Sequence, residues 1–298
     1  MKYLKYHALG NDYIVLRPES FQAEITPDIV RLICHRNFGI GSDGILYGPL
    51  SSKSCDYGLR IFNPDGSEAE KSGNGLRIFA RSLYDEGLVK EQPFSVETLG
   101  GIVSCKVENG GGIVTVQMGK VSFESQSIPV TGIPREVLNE EICVDGKIFN
   151  FCAVTVGNPH CVVLTNEPSP LDAQRYGALI ENDSRFPNRT NVQFMRVIDQ
   201  GNIQIEIWER GAGYTLSSGS SSTAAAAVAY KLGLCGPNII VHMPGGNLAI
   251  SFRDGFLATM TGPVTKVCEG VMTNEMFVKK MNFQPVATAD RAPVARSS

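Results

Sequence analysis

The sequence predicts an α+β protein of two pseudosymmetric lobes, each a curved, mostly antiparallel sheet around a central helix. Three landmarks support this fold class, because each recurs about half a chain length later with similar flanking residues. Self-similarity at a fixed offset is the signature of an internal duplication. The pairs are Gly10-Asn11 with Gly157-Asn158 at an offset of 147, Ser72-Gly73 with Ser218-Gly219 at 146, and Gly100-Gly101 with Gly245-Gly246 at 145.

Both halves show the same order of a strand, a polar loop, a Ser-Gly pair and a helix. The apolar faces of Asn74–Tyr84 and Ser220–Tyr230 predict two long helices. Alternation of apolar and polar residues over Ile113–Met118 and Ile203–Trp208 predicts strands. A strand-rich half with one long helix can bury that helix against its sheet, which predicts one central helix in each lobe.

The offset also predicts the lobe boundaries. The first lobe is expected over residues 1–120 plus about 267–283, and the second over 121–266, with the boundary near Gly119–Phe123. A last strand near Asn274–Met281 is expected to return to the first lobe. Residues 284–298 are rich in Ala, Pro, Arg and Ser, which predicts a disordered tail.

Composition narrows the class of ligand. With 298 residues the chain can bury two sizeable cores. A formal charge of -3 provides no electrostatic reason to expect nucleic acid or an anionic membrane as a partner. The sequence shows neither an apolar signal segment at its start nor a run of about 20 apolar residues that could span a bilayer. These features predict a cytoplasmic protein that acts on a small polar molecule.

Cysteine and histidine usage argues against a metal centre. The eight cysteines show no CxxC pairing and several lie in apolar runs, which indicates reduced, buried thiols and not a disulfide framework. The chain has four histidines and no HExxH motif, so no metal is predicted. The cysteines are Cys34, Cys55, Cys105, Cys143, Cys152, Cys161, Cys235 and Cys268.

The repeated Ser-Gly pairs lie where a loop becomes a helix. The first N–H groups of a helix lack intrahelical partners and carry the positive end of its dipole, so such an end binds an anion. Gly73, Gly75 and Gly219 allow close approach of a ligand, and Asn74 or Ser220 can cap or donate. A simple N-cap serine explains either helix alone. The duplication favours two helix ends that converge on one carboxylate.

A site of this kind implies proton abstraction. Two helix dipoles aimed at an α-carboxylate also stabilise the enolate-like charge that develops when the α-proton leaves. Racemisation needs one base on each face of the carbon, and a duplicated scaffold supplies two equivalent positions. Ser72 and Ser218 occupy those positions.

At these residues the sequence closely resembles the diaminopimelate epimerase family, whose members are cofactor-independent amino-acid epimerases of two pseudosymmetric lobes. The resemblance covers nearly the whole chain. The motifs that carry it are Gly10-Asn11-Asp12, GIGSDG from Gly39, Asn63-Pro-Asp-Gly-Ser67, Ser72-Gly-Asn-Gly75, Gly157-Asn-Pro-His160, Asn191 and Glu209-Arg-Gly-Ala-Gly213.

The resemblance implies interconversion of the LL and meso forms of diaminopimelate by two-base α-proton transfer, in lysine and peptidoglycan biosynthesis, by a homodimer without a cofactor. It implies catalytic roles for Ser72, Ser218, His160 and Glu209. It implies that the substrate is bound by Asn11, Asn63, Gly73, Asn74, Asn158, Asn191, Glu209, Arg210, Gly219 and Ser220.

The chain departs from the family pattern at the two positions that matter most. The family has cysteine where this chain has Ser72 and Ser218. A thiol beside a helix dipole can ionise, whereas an alcohol is too weak an acid to serve as a free base. Tyr214 stands where many relatives have an acidic residue, and Gly44 where some have glutamine.

Three explanations of the serines remain open. The first is an otherwise ordinary epimerase in which both thiols were replaced by design, with very low activity. The second is a relative that isomerises another amino-acid-like substrate with a non-thiol base, for which Glu209, His160 and Asp65 are the candidates. The third is an amino-acid-binding pseudoenzyme that has lost catalysis.

Overall fold

A computed structural model of the chain describes residues 1–21 and 24–277. This part of the chain contains eighteen strands, four α-helices and two short 3-10 helices. The helices are α1 (Pro27–Cys34), α2 (Gly73–Asp85), α3 (Pro170–Glu181) and α4 (Gly219–Lys231), and the 3-10 helices are Asn109–Gly111 and Asn274–Phe277. The strands are β1 (Lys2–Ala8), β2 (Asn11–Leu16), β3 (Ile45–Leu50), β4 (Tyr57–Phe62), β5 (Glu68–Ala69), β6 (Phe94–Thr98), β7 (Gly101–Glu108), β8 (Ile113–Lys120), β9 (Glu140–Val144), β10 (Lys147–Thr155), β11 (Pro159–Leu164), β12 (Asn191–Asp199), β13 (Asn202–Glu209), β14 (Gly213–Thr215), β15 (Asn238–Met243), β16 (Gly246–Arg253), β17 (Leu257–Pro263) and β18 (Thr265–Val271).

The pairing of the strands confirms the predicted fold class. Strands β1 to β8 form the first lobe and β10 to β17 the second, with the same pairing pattern in both. Most pairs are antiparallel, and the parallel ones are β2–β3 and β4–β6 in the first lobe and β11–β12 and β13–β15 in the second. Since parallel neighbours need a long crossover, each of these four connections contains a helix.

The two lobes exchange one strand each. Strand β9 follows the last strand of the first lobe but pairs with β10, and β18 follows the last strand of the second lobe but pairs with β1. The strand that returns to the first lobe is therefore Thr265–Val271. The prediction of a strand near Asn274–Met281 is wrong over Asn274–Phe277, where the chain forms a 3-10 helix. Residues 278–281 and the predicted tail, 284–298, lie outside the described residues.

Helices α2 and α4 match the two predicted helices to within one residue at each end. Both begin after an N-cap serine whose hydroxyl oxygen accepts a backbone N–H three residues later, as N-caps do. Helices α1 and α3 were not predicted. Their signals are present as Thr26-Pro27 and Ser169-Pro170, an N-cap followed by proline at the first helical position.

The main hydrophobic core is shared by the two lobes. It packs the apolar faces of α2 and α4 against strands of both sheets, including residues of β8 and β17, which pair with each other across the lobe interface. Each lobe adds a smaller cluster beneath its other helix, α1 or α3. The shared core holds the two central helices in one rigid arrangement, which positions their N-termini.

No cysteine among the described residues forms a disulfide. Burial is less general than predicted, because Cys143 and Cys268 are exposed and Cys55 is half-buried. No helix in residues 1–21 and 24–277 is long and apolar enough to cross a membrane.

Candidate active site

The N-termini of α2 and α4 meet. A Cβ atom placed on Gly219 would lie 3.4 Å from the Cα of Gly73, and either glycine would bring its Cβ to 2.8 Å from the side chain of Met260. Backbone can approach backbone this closely only because both positions lack a side chain. The predicted convergence of two helix ends therefore exists, and the positive ends of both dipoles point into one region.

Ser72 is the N-cap of α2. Its Oγ accepts the Gly75 N–H at 3.0 Å, and the Tyr13 hydroxyl lies 3.1 Å from the same oxygen. Tyr13 stands on β2 and is 6% exposed. The ring fits there because residue 44 is glycine, whose added Cβ would lie 2.6 Å from Tyr13 Cε1. A side chain at residue 44 would therefore collide with the Tyr13 ring.

Ser218 is the equivalent N-cap of α4 and is 4% exposed. Its Oγ accepts the Ser221 N–H at 3.4 Å and lies 3.5 Å from the Ser220 hydroxyl. Both bonds are long, so the Ser218 hydroxyl is held less firmly than that of Ser72. The cap role and a site role are compatible, since a capping oxygen stands beside the same free N–H groups that bind an anion.

A chain of hydrogen bonds runs from the interior of α2 to the start of β2. Arg77 Nη2 donates to Asn74 Oδ1 at 2.7 Å, Asn74 Nδ2 donates to Asn11 Oδ1 at 3.0 Å, and Asn11 Nδ2 donates to Asp43 Oδ2 at 3.0 Å. Arg36 completes the network through an ion pair with Asp43. The two predicted substrate-binding amides, Asn11 and Asn74, are therefore brought together and fixed in orientation.

Arg77 is fully buried, and its Nε and Nη1 have no hydrogen-bond partner among the described residues. Burial lowers the pKa of its guanidinium to about 9. The group still carries its charge at neutral pH, one helical turn from the N-terminus of α2. This charge adds to the positive potential of the helix end.

His160 is fully buried in the second lobe. Its Nε2 lies 3.0 Å from Asn158 Oδ1, and its Nδ1 has no hydrogen-bond partner in the described part of the chain. Burial lowers the pKa of the imidazole to about 3, an effect that the nearby charge of Arg210 increases and the Gln193 side chain opposes. His160 is thus a neutral ring at any physiological pH.

Asn191, Glu209 and Arg210 lie together at the ends of β12 and β13. Asn191 Oδ1 accepts the backbone N–H of Arg210 at 3.0 Å, and its Nδ2 donates to the carbonyl of Pro159 at 2.8 Å. Burial raises the pKa of Glu209, the nearby hydroxyls of Thr215 and Ser218 lower it, and the charge of Asp43 raises it further. Glu209 is therefore a buried carboxyl group near the Ser218 hydroxyl.

Asn63 and Asp65 are occupied within their own loop. Asn63 Nδ2 donates to Ser67 Oγ at 3.0 Å, and the exposed carboxylate of Asp65 accepts both the backbone N–H and the hydroxyl of Ser67. These hydrogen bonds lower the pKa of Asp65. A carboxylate stabilised in this way is a weak base, which argues against Asp65 as the proton acceptor.

Tyr214, which stands where many relatives have an acidic residue, donates a hydrogen bond from its hydroxyl group to the Glu206 carboxylate at 2.7 Å.

The sequence motifs did not single out Tyr13, Asp43 or Arg77 as site residues, although the structure ties all three to it. A signal for Tyr13 existed, because the repeat that aligns Asn11 with Asn158 also aligns Tyr13 with His160 at the same offset of 147. No group of three or more His, Cys, Asp or Glu side chains within residues 1–21 and 24–277 could hold a metal ion.

A family model described as diaminopimelate epimerase matches the chain twice, over residues 3–124 and 152–267. The two matches coincide with the two repeats. Among curated proteins, the chain is 60% identical over 277 residues to "Diaminopimelate epimerase 2" of Nostoc sp. strain PCC 7120, covering 93% of this chain and 97% of that protein. It is 39% identical to a diaminopimelate epimerase of Alkaliphilus metalliredigens, covering 93% and 99%.

Solved structures with the same fold are more distant in sequence. A probable proline racemase from Agrobacterium radiobacter K84 superposes with a TM-score of 0.70 at 15% identity, covering 95% of this chain and 94% of that one. A hydroxyproline epimerase from Agrobacterium vitis superposes with a TM-score of 0.66 at 16% identity, covering 91% and 90%. At such identity these structures support the fold alone.

Proposed function

This chain belongs to the diaminopimelate epimerase family, and on that premise we propose that it is an isomerase which interconverts LL- and meso-diaminopimelate by moving the α-proton from one face of the carbon to the other. The observation that carries this proposal is the meeting of the two helix N-termini at Gly73 and Gly219, with residues 72 and 218 as their caps. A carboxylate held there lies between two side chains on opposite lobes. The proposed pathway is that of lysine and peptidoglycan biosynthesis.

The proposed binding of the substrate follows from the free N–H groups. The amides of Gly73-Asn74 and Gly219-Ser220 would hold the reacting carboxylate, where two dipoles and the buried charge of Arg77 stabilise negative charge. The remaining polar groups of the substrate would bind to Asn11, Asn63, Asn158, Asn191 and Arg210. A buried polar ligand of this kind needs many partners, which this set of amides supplies.

The serine pair limits the proposed rate. A serine hydroxyl beside a helix end remains protonated, so each face lacks the thiolate that could take the α-proton. Glu209 is the proposed base, because its raised pKa makes it a better proton acceptor than an ordinary carboxylate and its carboxyl group lies near Ser218. His160 would help only as a neutral ring. We expect very low activity from the chain with serine at both positions.

Two other functions are proposed as alternatives to diaminopimelate epimerisation. Glu209 beside Ser218 would suit an isomerase of another amino-acid-like substrate that uses a carboxylate base. Loss of both thiols with an intact set of amides would also suit an amino-acid-binding pseudoenzyme. A cytoplasmic homodimer that needs no cofactor and binds no nucleic acid is proposed on family resemblance.

The test compares three proteins. Epimerisation of LL-diaminopimelate and exchange of its α-hydrogen in heavy water are followed by NMR for the chain itself, for Ser72→Cys/Ser218→Cys, and for Ser54→Cys/Ser127→Cys, which adds two thiols at exposed positions. We expect turnover to rise only in the first double variant. If neither double variant turns over diaminopimelate while the chain binds a different amino acid, the proposed substrate is wrong.

A further inference from the structure

The first lobe contains a partly buried pair of hydroxyl groups to which no motif assigns a role. Tyr13 OH lies 3.1 Å from Ser72 Oγ, beneath the N-terminus of α2. The ring is held by Gly44 on one side, since an added Cβ would lie 2.6 Å from Tyr13 Cε1 and 3.0 Å from Cδ1. Tyr13 is 6% exposed and its hydroxyl contacts the side chain of Ser72, the N-cap of α2, so the ring is fixed in place beside the site.

The internal duplication makes Tyr13 the counterpart of His160. Both stand on the second strand of their lobe, two residues after the asparagine of the repeated Gly-Asn pair. Both side chains are almost wholly buried. Each lobe thus has an aromatic ring with a polar atom at the equivalent position of the repeat, but the two rings differ in chemistry. An imidazole can accept or donate, whereas a protonated phenol beside a serine is the better donor.

Relative acidity favours one direction for this hydrogen bond, in which either hydroxyl group could be the donor. The Ser72 oxygen already accepts the Gly75 N–H. Burial raises the pKa of the Tyr13 phenol, the hydrogen bond to Ser72 opposes this, and the charges of Glu209, Asp43 and Cys34 raise it again. These groups come from β13, from the loop before β3 and from α1. The phenol therefore keeps its proton, and because a phenol is more acidic than an aliphatic alcohol it is the favoured hydrogen-bond donor to Ser72 Oγ. The proton of Ser72 is then free to point elsewhere.

We propose that Tyr13 is a positioning residue whose phenol stabilises the deprotonated form of residue 72, which makes that residue a better proton donor in the direction of the reaction that delivers the proton to its face of the substrate. The inference rests on the proposed function in one respect, because that function identifies the α-carbon of the substrate as the proton acceptor. In this step the Ser72 O–H bond breaks, and the electron pair on the α-carbon forms the new C–H bond with that proton. The charge left on Oγ is held by the N–H of Gly75 and the O–H of Tyr13, and water returns a proton after release of the product.

The test uses a thiol as the reporter and needs no substrate. In Ser72→Cys, the pKa of the new thiol is obtained from the pH dependence of its reaction with iodoacetamide, followed on the peptide that contains residue 72. A phenol that donates to sulfur stabilises the thiolate. We expect Tyr13→Phe in this background to raise the thiol pKa by about one unit, which is a tenfold drop in the thiolate fraction at neutral pH.

A matched control removes a different hydroxyl. Tyr57→Phe loses a hydrogen bond to the Leu88 carbonyl instead, and should leave the pKa of the thiol at position 72 unchanged. A pKa that is the same with Tyr13 and with Phe at position 13 would overturn the proposal. Circular dichroism establishes that each variant is folded.

If Tyr13→Phe does not fold, a second measurement still tests the role of Tyr13. Replacement of all nine tyrosines by 3-fluorotyrosine makes the phenol a stronger donor without changing its size. The thiol pKa should then fall, and no change would again contradict the proposal. These measurements of the thiol pKa involve no diaminopimelate, so they test the role of Tyr13 independently of the proposed substrate. An error in the substrate would appear only in the epimerisation assay.

Discussion

The hydroxyl oxygens of Thr115 and Thr261 lie 2.9 Å apart, and these two residues are equivalent positions of the repeat, 146 residues apart in sequence. They face each other in the antiparallel pair of β8 and β17. A residue that pairs with its own repeat equivalent lies on the axis that relates the two lobes. Met260, the neighbour of Thr261, contacts both Gly73 and Gly219, so the axis passes beneath the two helix ends. Neither lobe alone can build this site.

The two serines should respond differently to replacement by cysteine. Tyr13 stabilises a thiolate at position 72, whereas position 218 already lies beside the Glu209 carboxyl, so the face that lacks a base is that of residue 72. We expect Ser72→Cys alone to increase exchange of the α-hydrogen of diaminopimelate by about a hundredfold, within the usual range for a positioned base, and Ser218→Cys alone to increase it less. Deuterium incorporation from heavy water measures both. An equal or larger gain from Ser218→Cys would contradict this assignment, and Ser54→Cys controls for an added thiol.

Gly219→Ala should separate the two helix ends. The new Cβ would lie 2.8 Å from Met260 Sδ and 3.4 Å from Gly73 Cα, so either the flexible Met260 or the helix must move. We expect a loss of about 1–3 kcal/mol in the free energy of unfolding, as for overpacked cores, and weaker binding of diaminopimelate. Urea unfolding and titration calorimetry measure the two effects. Gly236→Ala, where the nearest atom to an added Cβ is 3.9 Å away, should change neither.

Arg77→Met should stabilise the fold while weakening the site. Arg77 is a buried charge with two nitrogens that lack partners in the described residues, and replacing such a group by an apolar side chain is often neutral or stabilising by about 1–4 kcal/mol. The same change releases the amide of Asn74, so affinity for diaminopimelate should fall. Thermal unfolding and calorimetry test the pair of effects.

The matched control for this prediction lies one turn further along α2. Arg81 pairs with Asp85 and donates to the Gly111 carbonyl, so Arg81→Met should lose about 1.5–3 kcal/mol of stability, the usual value of hydrogen bonds to a charged group. A large loss of stability in Arg77→Met would show that the buried guanidinium supports the fold instead of the site.

His160 should make the protein less stable in acid. Its pKa is lowered by burial from the ordinary value of 6.5 to about 3, so between these values the unfolded chain binds a proton that the folded chain does not. Stability from this residue is therefore complete above pH 6.5 and is lost as the pH falls towards 3, by about 1.4 kcal/mol per pH unit. His160→Gln keeps a donor for Asn158 and should flatten the slope by that amount in urea unfolding between pH 6.5 and 4. An unchanged slope in His160→Gln would contradict the prediction.

The sequence by itself determined the duplication, the two central helices and their capping serines, because each of these is encoded in a short run of residues. The repeated Gly-Asn and Ser-Gly pairs, the helical period of Asn74–Tyr84 and the alternation in Ile203–Trp208 need no partner elsewhere in the chain to be recognised. The family motifs likewise selected Asn11 and Asn74, which the structure joins by a hydrogen bond.

Only the tertiary structure decided which distant segments meet. The return of β18 to the first lobe depends on its pairing with β1, at the other end of the described chain. Thr265–Val271 is largely exposed and shows little hydrophobic alternation by which a sequence pattern could identify the strand. The contact of Tyr13 with Ser72 depends on the space above Gly44, and the isolation of Arg77 depends on how both lobes close over α2. Such contacts follow from packing, in which the position of one side chain is set by the shapes of several others. A short run of sequence therefore cannot predict them.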